Sequence, residues 1–459
     1  MNALITTALL GVVLMFTGLF VKNKQQIKYF AIVGALIAFV ANCFDIMSIA
    51  DGHTIDVQGM LEVSQFSTLF NAIAFGSLFI YFLLCGSAIE KVGEHVADYS
   101  ALIFFIMVGV TITGAFSNLL MLFLAIEIIS IPQYILAGAD KRNLKSNEAA
   151  LKYLLMGSFS TGVLLMGICL IFGANGTFNI EQLGLGSGEV HPLALTGITL
   201  VGFSLAFKVS AAPFHFWTPD VYDGSPTVFT AFMATIVKAA AFVAFLRLFH
   251  VSFAGGNLSQ HWQLVLAIIT AATLIIGNLT AVFQWSVKRM LAYSSIAQAG
   301  FMLFAVIALN KAAVQGILFY ALAYSVATIG IFAVLLKMKD YTFDGFNGLA
   351  KKQPFVALTM TIFLLSLAGI PITAGFFAKY LVLAAAIQQG GLLWLVIIAV
   401  LCAAISVYYY FRIIIAMYFK QGDNDVEGVT GGFKFALGIV ALIILALGIF
   451  PSLLLNCIQ

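Results

Sequence analysis

The sequence predicts an all-α membrane protein of about fourteen transmembrane helices, and three observations predict it. Of 459 residues, 62% are hydrophobic and only 9% charged, against about 25% charged in an ordinary soluble domain. Apolar runs of about 20 residues, the length that crosses the hydrocarbon of a bilayer, follow one another along nearly the whole chain. The basic residues fall on alternate connections between those runs.

The runs place spans at 2–21, 28–49, 66–88, 99–117, 119–139, 149–173, 193–220, 226–249, 262–284, 288–308, 312–337, 355–386, 391–419 and 434–454. The first is expected to be a permanent span and not a signal peptide, because Lys22, Lys24 and Lys28 follow its apolar core where a signal peptide carries its charge in front. Connections after odd-numbered spans hold fifteen of the 22 Lys and Arg, among them Lys91, Lys141, Arg142, Lys145, Lys288, Arg289 and Lys337. Connections after even-numbered spans hold Arg247 and Lys311. The excess of Lys and Arg on cytoplasmic loops then places both termini outside. A bacterial plasma membrane is the expected location.

Two spans are too long for one crossing, and each contains a proline: Pro213 in 193–220, and Pro371, shortly after Gly369, in 355–386. Proline removes a backbone donor and clashes with the preceding turn. In lipid such a break persists where protein buries it or where it lines a wet cavity. Each broken span is the fourth of a possible five-helix block. The chain therefore divides into an N-terminal three-helix segment (1–98), a first five-helix repeat (99–250), a second, inverted repeat (251–420) and a C-terminal helix (421–459). Interrupted spans at corresponding positions of inverted halves point to an ion path.

Charge inside the spans is a short list: Lys152, Lys208, Lys238, Lys379, Arg412 and one clear carboxylate, Glu127. A lysine in mid-span costs ~2.5–3.5 kcal/mol on insertion scales. Burial disfavours its charged form, so Lys208, Lys238 and Lys379 are expected to exchange protons. Glu127 at 4 Å from Lys208 would be worth about 4 kcal/mol at an effective dielectric of ~20. Its approach and retreat would switch Lys208 between holding and releasing a proton. The alternative is a static ion pair between helices. Lys379 follows the break at Pro371, or snorkels to an interface. Lys152 is open between snorkelling and proton uptake. His215, beside the first break, suits a relay or a hydrogen-bonded brace. Arg412 is expected to be an anchor, and His250 and His261 surface residues. Trp217 and Tyr222 fit an interfacial aromatic belt. Tyr293, Ser294 and Ser295 suit either channel water or polar helix packing.

The five cysteines, Cys43, Cys85, Cys169, Cys402 and Cys457, have no metal-ligand spacing. The sequence has no phosphate-binding or dinucleotide motif. No metal or cofactor is expected in this chain, and its small net charge of +3 says nothing of nucleic acid, which is not an expected partner. The chain can move ions and must be driven by something else.

Three stretches carry a family resemblance. FKVSAAPFHFWTPDVYDGSPTVFTAFMATIVKAAAF, KRMLAYSSIAQAGFM and LAGIPITAGFFAKYLVL resemble the antiporter-like membrane subunits of respiratory complex I and of multisubunit sodium/proton antiporters. Within that family, LAIEIISIPQYIL, a lysine on span twelve and the absence of a long lateral-helix extension fit one complex I subunit type. The resemblance implies that Glu127 tunes Lys208, that Lys238 connects and that Lys379 lies on the exit side. It matches Lys152 to a span-six lysine. It further implies protons taken from the cytoplasm and released outside, driven by quinone reduction in partner chains. NADH, FMN, iron–sulfur clusters and quinone would be handled by the assembled complex, and the partners would be other antiporter-like and small membrane subunits, the hydrophilic redox arm and the lipid bilayer. The other readings are a sodium/proton antiporter subunit and a structural membrane subunit.

Overall fold

The computed structural model describes residues 1–21, 23–49, 54–183, 191–252, 258–422 and 426–458; Lys22 and the side chain of His261 lie outside the described set. Apart from short turns and one hairpin, the described chain is helical. In order it forms α1 (Asn2–Phe20), α2 (Lys24–Ile49), strands β1 (Ile55–Val57) and β2 (Leu61–Val63), α3 (Gln65–Cys85), α4 (Val96–Ala115), α5 (Leu119–Ala137) and α6 (Leu144–Asn175). Then come α7 (Pro192–Lys208), α8 (Trp217–Gly224), α9 (Thr227–Ser252), α10 (Leu258–Val282), α11 (Val287–Ala308) and α12 (Lys311–Leu335). The chain closes with α13 (Pro354–Ala368), α14 (Ala374–Gln389), α15 (Leu393–Phe419), α16 (Gly431–Ile449) and α17 (Ser452–Ile458).

Among the described residues, twelve helices are long and apolar enough to cross a membrane by themselves. The two expected long spans are each in two pieces, α7 with α8 and α13 with α14; α7 and α13 are apolar but shorter than the twelve. The first break holds Ser210 at φ 66° and the cis Ala212–Pro213 bond; the second holds Gly369 at φ 84° and Ile372 at φ 78°. The last expected span ends early, at Ile449, because Pro451 cannot continue the helix, and α17 is a separate short helix.

Lipid offers no hydrophobic drive between helices, so close packing of small residues holds them together. A Cβ added to Gly109 on α4 would lie 2.8 Å from the Ala125 carbonyl of α5. In the second half, one added to Gly277 on α10 would lie 2.7 Å from the backbone nitrogen of Ala297 on α11. The first two helices of each five-helix group thus meet through a glycine. Gly167 of α6 and Gly197 of α7 face each other in the same way, each 2.7 Å from the other's carbonyl oxygen once a Cβ is added.

The polar residues are not spread evenly. Helices α9, α11 and α12 are almost wholly surrounded by protein, whereas α1 and α2 turn large apolar side chains such as Leu9, Phe16, Phe20 and Phe44 outward. Lys238, Gln298, Tyr320 and Tyr324 all lie on those three central helices and are buried. The fold places its costly groups where lipid cannot reach them.

Several expectations are corrected. Arg247 is not on an outer loop: it lies inside α9, 2.8 Å from Glu62 of the β-hairpin and 2.8 Å from the Phe116 carbonyl. Lys288 is not on a cytoplasmic loop: it is buried in the first turn of α11. Trp217 and Tyr222 are core residues and not an interfacial belt. Asp45, a second carboxylate in a span, is buried and accepts hydrogen bonds from the backbone N–H groups of Asn2 and Ala3, capping α1. His250 is exposed, as expected.

Overpacking a tight helix contact costs about 1–3 kcal/mol. Gly167→Val is therefore expected to separate α6 from α7 and to lower the thermal stability of the purified protein, measured by a fluorescence melt in detergent.

Candidate functional site

Lys208 ends α7, and its Nζ donates to Ser130 Oγ of α5 at 2.9 Å. Glu127 lies one turn earlier on α5, three residues from Ser130, and is half-buried. Neither a hydrogen bond nor an ion pair within 4 Å joins Glu127 to Lys208 among the described residues. In this arrangement Ser130, not Glu127, takes the Lys208 amine. Beside them is a cavity of about 30 Å³, lined by Ser130, Gln133, Tyr153, Leu205, Val237 and Ala241. A water needs roughly 10–15 Å³ of such space, so the cavity has room for one or two. Its far wall, Val237 and Ala241, flanks Lys238.

Lys238 follows a π-helical turn at Met233–Val237. The extra residue of a π-turn rotates the face that the next helical turn presents, and such turns are frequent at functional sites. The Lys238 Nζ donates to the carbonyl and the hydroxyl of Ser295 on α11, at 2.9 and 3.0 Å, and sits 5.8 Å from the Tyr222 ring. Next along α11, the Ser294 and Tyr410 hydroxyls are 2.5 Å apart. Gln298 donates to Tyr410 at 3.2 Å and to the Leu367 carbonyl at 2.9 Å, and accepts from Tyr320.

Lys379 lies on α14 and reaches back across the second break. Its Nζ donates to the Ala368 carbonyl at 2.9 Å, the last residue of α13, and sits 4.6 Å from the Phe301 ring. A space of about 10 Å³ beside it is lined by Gln298, Tyr320, Tyr324 and Ser366. The Tyr324 hydroxyl is buried without a partner.

Polar groups therefore run from Lys208 through Lys238 to Lys379. No carboxylate lies within 4 Å of these three amines among the described residues. Each is held by neutral oxygens, Ser130, Ser295 or Ala368, which accept a hydrogen bond from an amine or an ammonium alike.

The other two expected residues lie apart from this axis. His215 and Lys152 line one chamber of about 500 Å³ with Trp217, Asp220, Arg289 and Tyr293. His215 is buried, stacks on Phe216 at 4.5 Å, and leaves Nδ1 without a partner among the described residues. Lys152 is 41% exposed and pairs with Asp220 and Glu148, both at 2.8 Å. It belongs to an ion cluster at the chamber mouth, where Arg289 also holds Asp220 at 3.0 Å.

Two further cations cap helix ends, where carbonyls lack intrahelical partners and the macrodipole favours positive charge. Buried Lys288 donates to the carbonyls of Asp223 and Ser225, at 2.8 and 2.6 Å, at the end of α8. Arg412 donates to the Val282 carbonyl at 2.8 Å, at the end of α10, and lies over the Phe343 ring. Arg412 is the expected anchor.

Sequence reasoning missed Ser130, Gln133, Tyr153, Asp220, Gln298, Tyr320, Tyr324 and Tyr410. Gln298 and the pair Tyr320 and Tyr324, four residues apart on an apolar helix, were the available signal. Among the described residues no group of His, Cys, Asp or Glu is arranged to hold a metal ion.

This architecture, two five-helix groups each with a broken fourth helix that carries a lysine, defines an antiporter-like membrane subunit. Residues 117–406 match the family described as NADH:quinone oxidoreductase/Mrp antiporter, TM, and the chain belongs to that family. Its relatives include NADH-quinone oxidoreductase subunit N of Cytophaga hutchinsonii, 39% identical with 99% of both chains covered. Subunit N of Flavobacterium johnsoniae is 37% identical with both chains fully covered. A chain of respiratory complex I from Thermus thermophilus superposes with a TM-score of 0.85 at 32% identity, over 99% of this chain and 98% of that one. A chain of the Mrp complex from Dietzia shares the fold, with a TM-score of 0.84 at 21% identity over 100% and 96% of the two chains.

Lys288→Met would leave two carbonyls at the end of α8 without a donor, and an unmet buried acceptor costs about 1–3 kcal/mol. A lower melting temperature is expected, with partial recovery in Lys288→Arg, read in the same detergent melt.

Proposed function

We propose that this chain is the proton-translocating N-type subunit of an NADH:quinone oxidoreductase in a bacterial plasma membrane, with both termini outside. Protons enter from the cytoplasm through the Lys152–His215 chamber and exchange along Lys208, Lys238 and Lys379. Glu127 gates Lys208 through its charge, and Lys379 lies toward the outside. The five-helix groups at 99–250 and 251–420 each carry part of this path. Quinone reduction elsewhere drives it, with NADH, FMN, iron–sulfur clusters and the hydrophilic redox arm supplied by partner chains.

One observation carries the reading: three amines inside the spans, on buried Lys238 and Lys379 and half-buried Lys208, are held by neutral oxygens with no carboxylate within 4 Å among the described residues. A structural ion pair would place a carboxylate against the amine. These lysines are instead seated so that gaining or losing a proton breaks no ion pair. The Glu127 charge, at longer range, can then bias one of them without trapping it. The full-length likeness to subunit N chains favours this over a sodium/proton antiporter, which shares the architecture.

A positioned proton carrier contributes roughly 10²–10⁴-fold to a rate. In inside-out membrane vesicles with the chain assembled, Lys208→Ala is expected to lower NADH-driven proton uptake and quinone reduction together, by about 10²-fold or more. Unchanged rates of both would leave Lys208 as a structural charge. Glu127→Gln removes only the biasing charge and is expected to slow both rates less than Lys208→Ala does.

A further inference from the structure

The 500 Å³ chamber and the 30 Å³ cavity beside Lys208 do not join. Between them stand two aromatic side chains. Trp217 lines the chamber and Tyr153 lines the cavity, and their rings stack with centroids 4.8 Å apart and planes 7° apart. Rings at that spacing leave no room for water. Both side chains are buried.

We infer that Trp217 and Tyr153 are the positioning pair that admits protons from the chamber to Lys208, closed in this structure and parted during turnover. The inference rests on the proposed proton path. Three features support it. First, Tyr153 follows Lys152 on α6, so neighbouring residues of one helix line the two spaces. Second, the closed arrangement is held by specific bonds: Tyr153 donates to Gln133 Oε1 at 2.5 Å, and Trp217 Nε1 donates to the Phe207 carbonyl at 3.1 Å. That carbonyl belongs to the residue before Lys208, so the tryptophan is tied to the backbone that carries the lysine. Third, Trp217 opens α8, a short helix that follows the break in the long span. One turn further, Asp220 is clamped by Lys152 and Arg289 at the chamber mouth. Small movements of α8 against α6 would loosen the clamp and slide the indole off the phenol together.

Thiol labelling in the assembled complex tests this. Leu205→Cys places a reporter in the inner cavity, and Ile129→Cys serves if the first does not assemble. Inside-out vesicles are treated with the impermeant reagent 2-(trimethylammonium)ethyl methanethiosulfonate, at rest and during NADH oxidation, and the labelled peptide is quantified by mass. With Trp217 intact, labelling is expected to rise about fivefold or more during turnover, a factor within what one aromatic stack can hold closed. With Trp217→Ala, or with the isosteric Asp220→Asn, it is expected to be fast in both conditions. Trp217→Phe restores the difference. Core packing alone would give labelling indifferent to turnover, and that result overturns the inference. Turnover-dependent labelling alongside normal proton uptake in Lys208→Ala would keep the barrier and reject the proton path.

Discussion

A helix that breaks inside a membrane frees backbone groups that water cannot satisfy, and much of this structure answers that constraint. The Phe207 carbonyl at the end of α7 takes the indole of Trp217. The Ala212 N–H in the first break is bonded by Thr273 of α10 at 2.8 Å. In the second break, Ser366 accepts from the Gly375 N–H at 3.1 Å, Gln298 donates to the Leu367 carbonyl and Lys379 to that of Ala368. Lys288 serves the end of α8.

The constraint also explains why lysine and arginine divide the work. Arg247 and Arg412 sit in fixed pairings, with a carboxylate and with carbonyls. The guanidinium keeps its charge at any physiological pH and suits permanent contacts. The axis lysines have flexible stems and neutral acceptors, and Lys208 and Lys379 line small cavities. A primary amine can release its proton and keep a hydrogen bond as donor. The same fold thus fixes these arginines with a carboxylate or with carbonyls and leaves the three axis lysines on neutral acceptors.

The two halves depend on each other physically. Thr273, from the first helix of the second group, completes the break of the first. Lys238 of the first group bonds Ser295 of the second. Lys288, from the second, holds the end of α8 in the first. These contacts tie the break of the first group, Lys238 and the end of α8 to helices of the second.

Hydrophobic run length, loop charge and proline position determined the crossings, their order and the two breaks, because each follows from the local cost of polar groups in lipid. The short list of intramembrane charges was legible for the same reason: a lysine among twenty apolar residues is conspicuous. Partners were not. Whether Glu127 or Ser130 takes the Lys208 amine depends on how α5 and α7 face each other, which hydropathy does not encode. The ion pair of Arg247 with a distant hairpin, the burial of Lys288, and the stacking of Trp217 on Tyr153 arise from contacts between residues far apart in the chain. Uncharged polar residues such as Gln298 and Tyr410 cost little alone in an apolar span and leave a faint sequence signal. Tertiary packing alone brought them together beside Ser294, Tyr320 and the second helix break, because only it decides which faces of which helices meet.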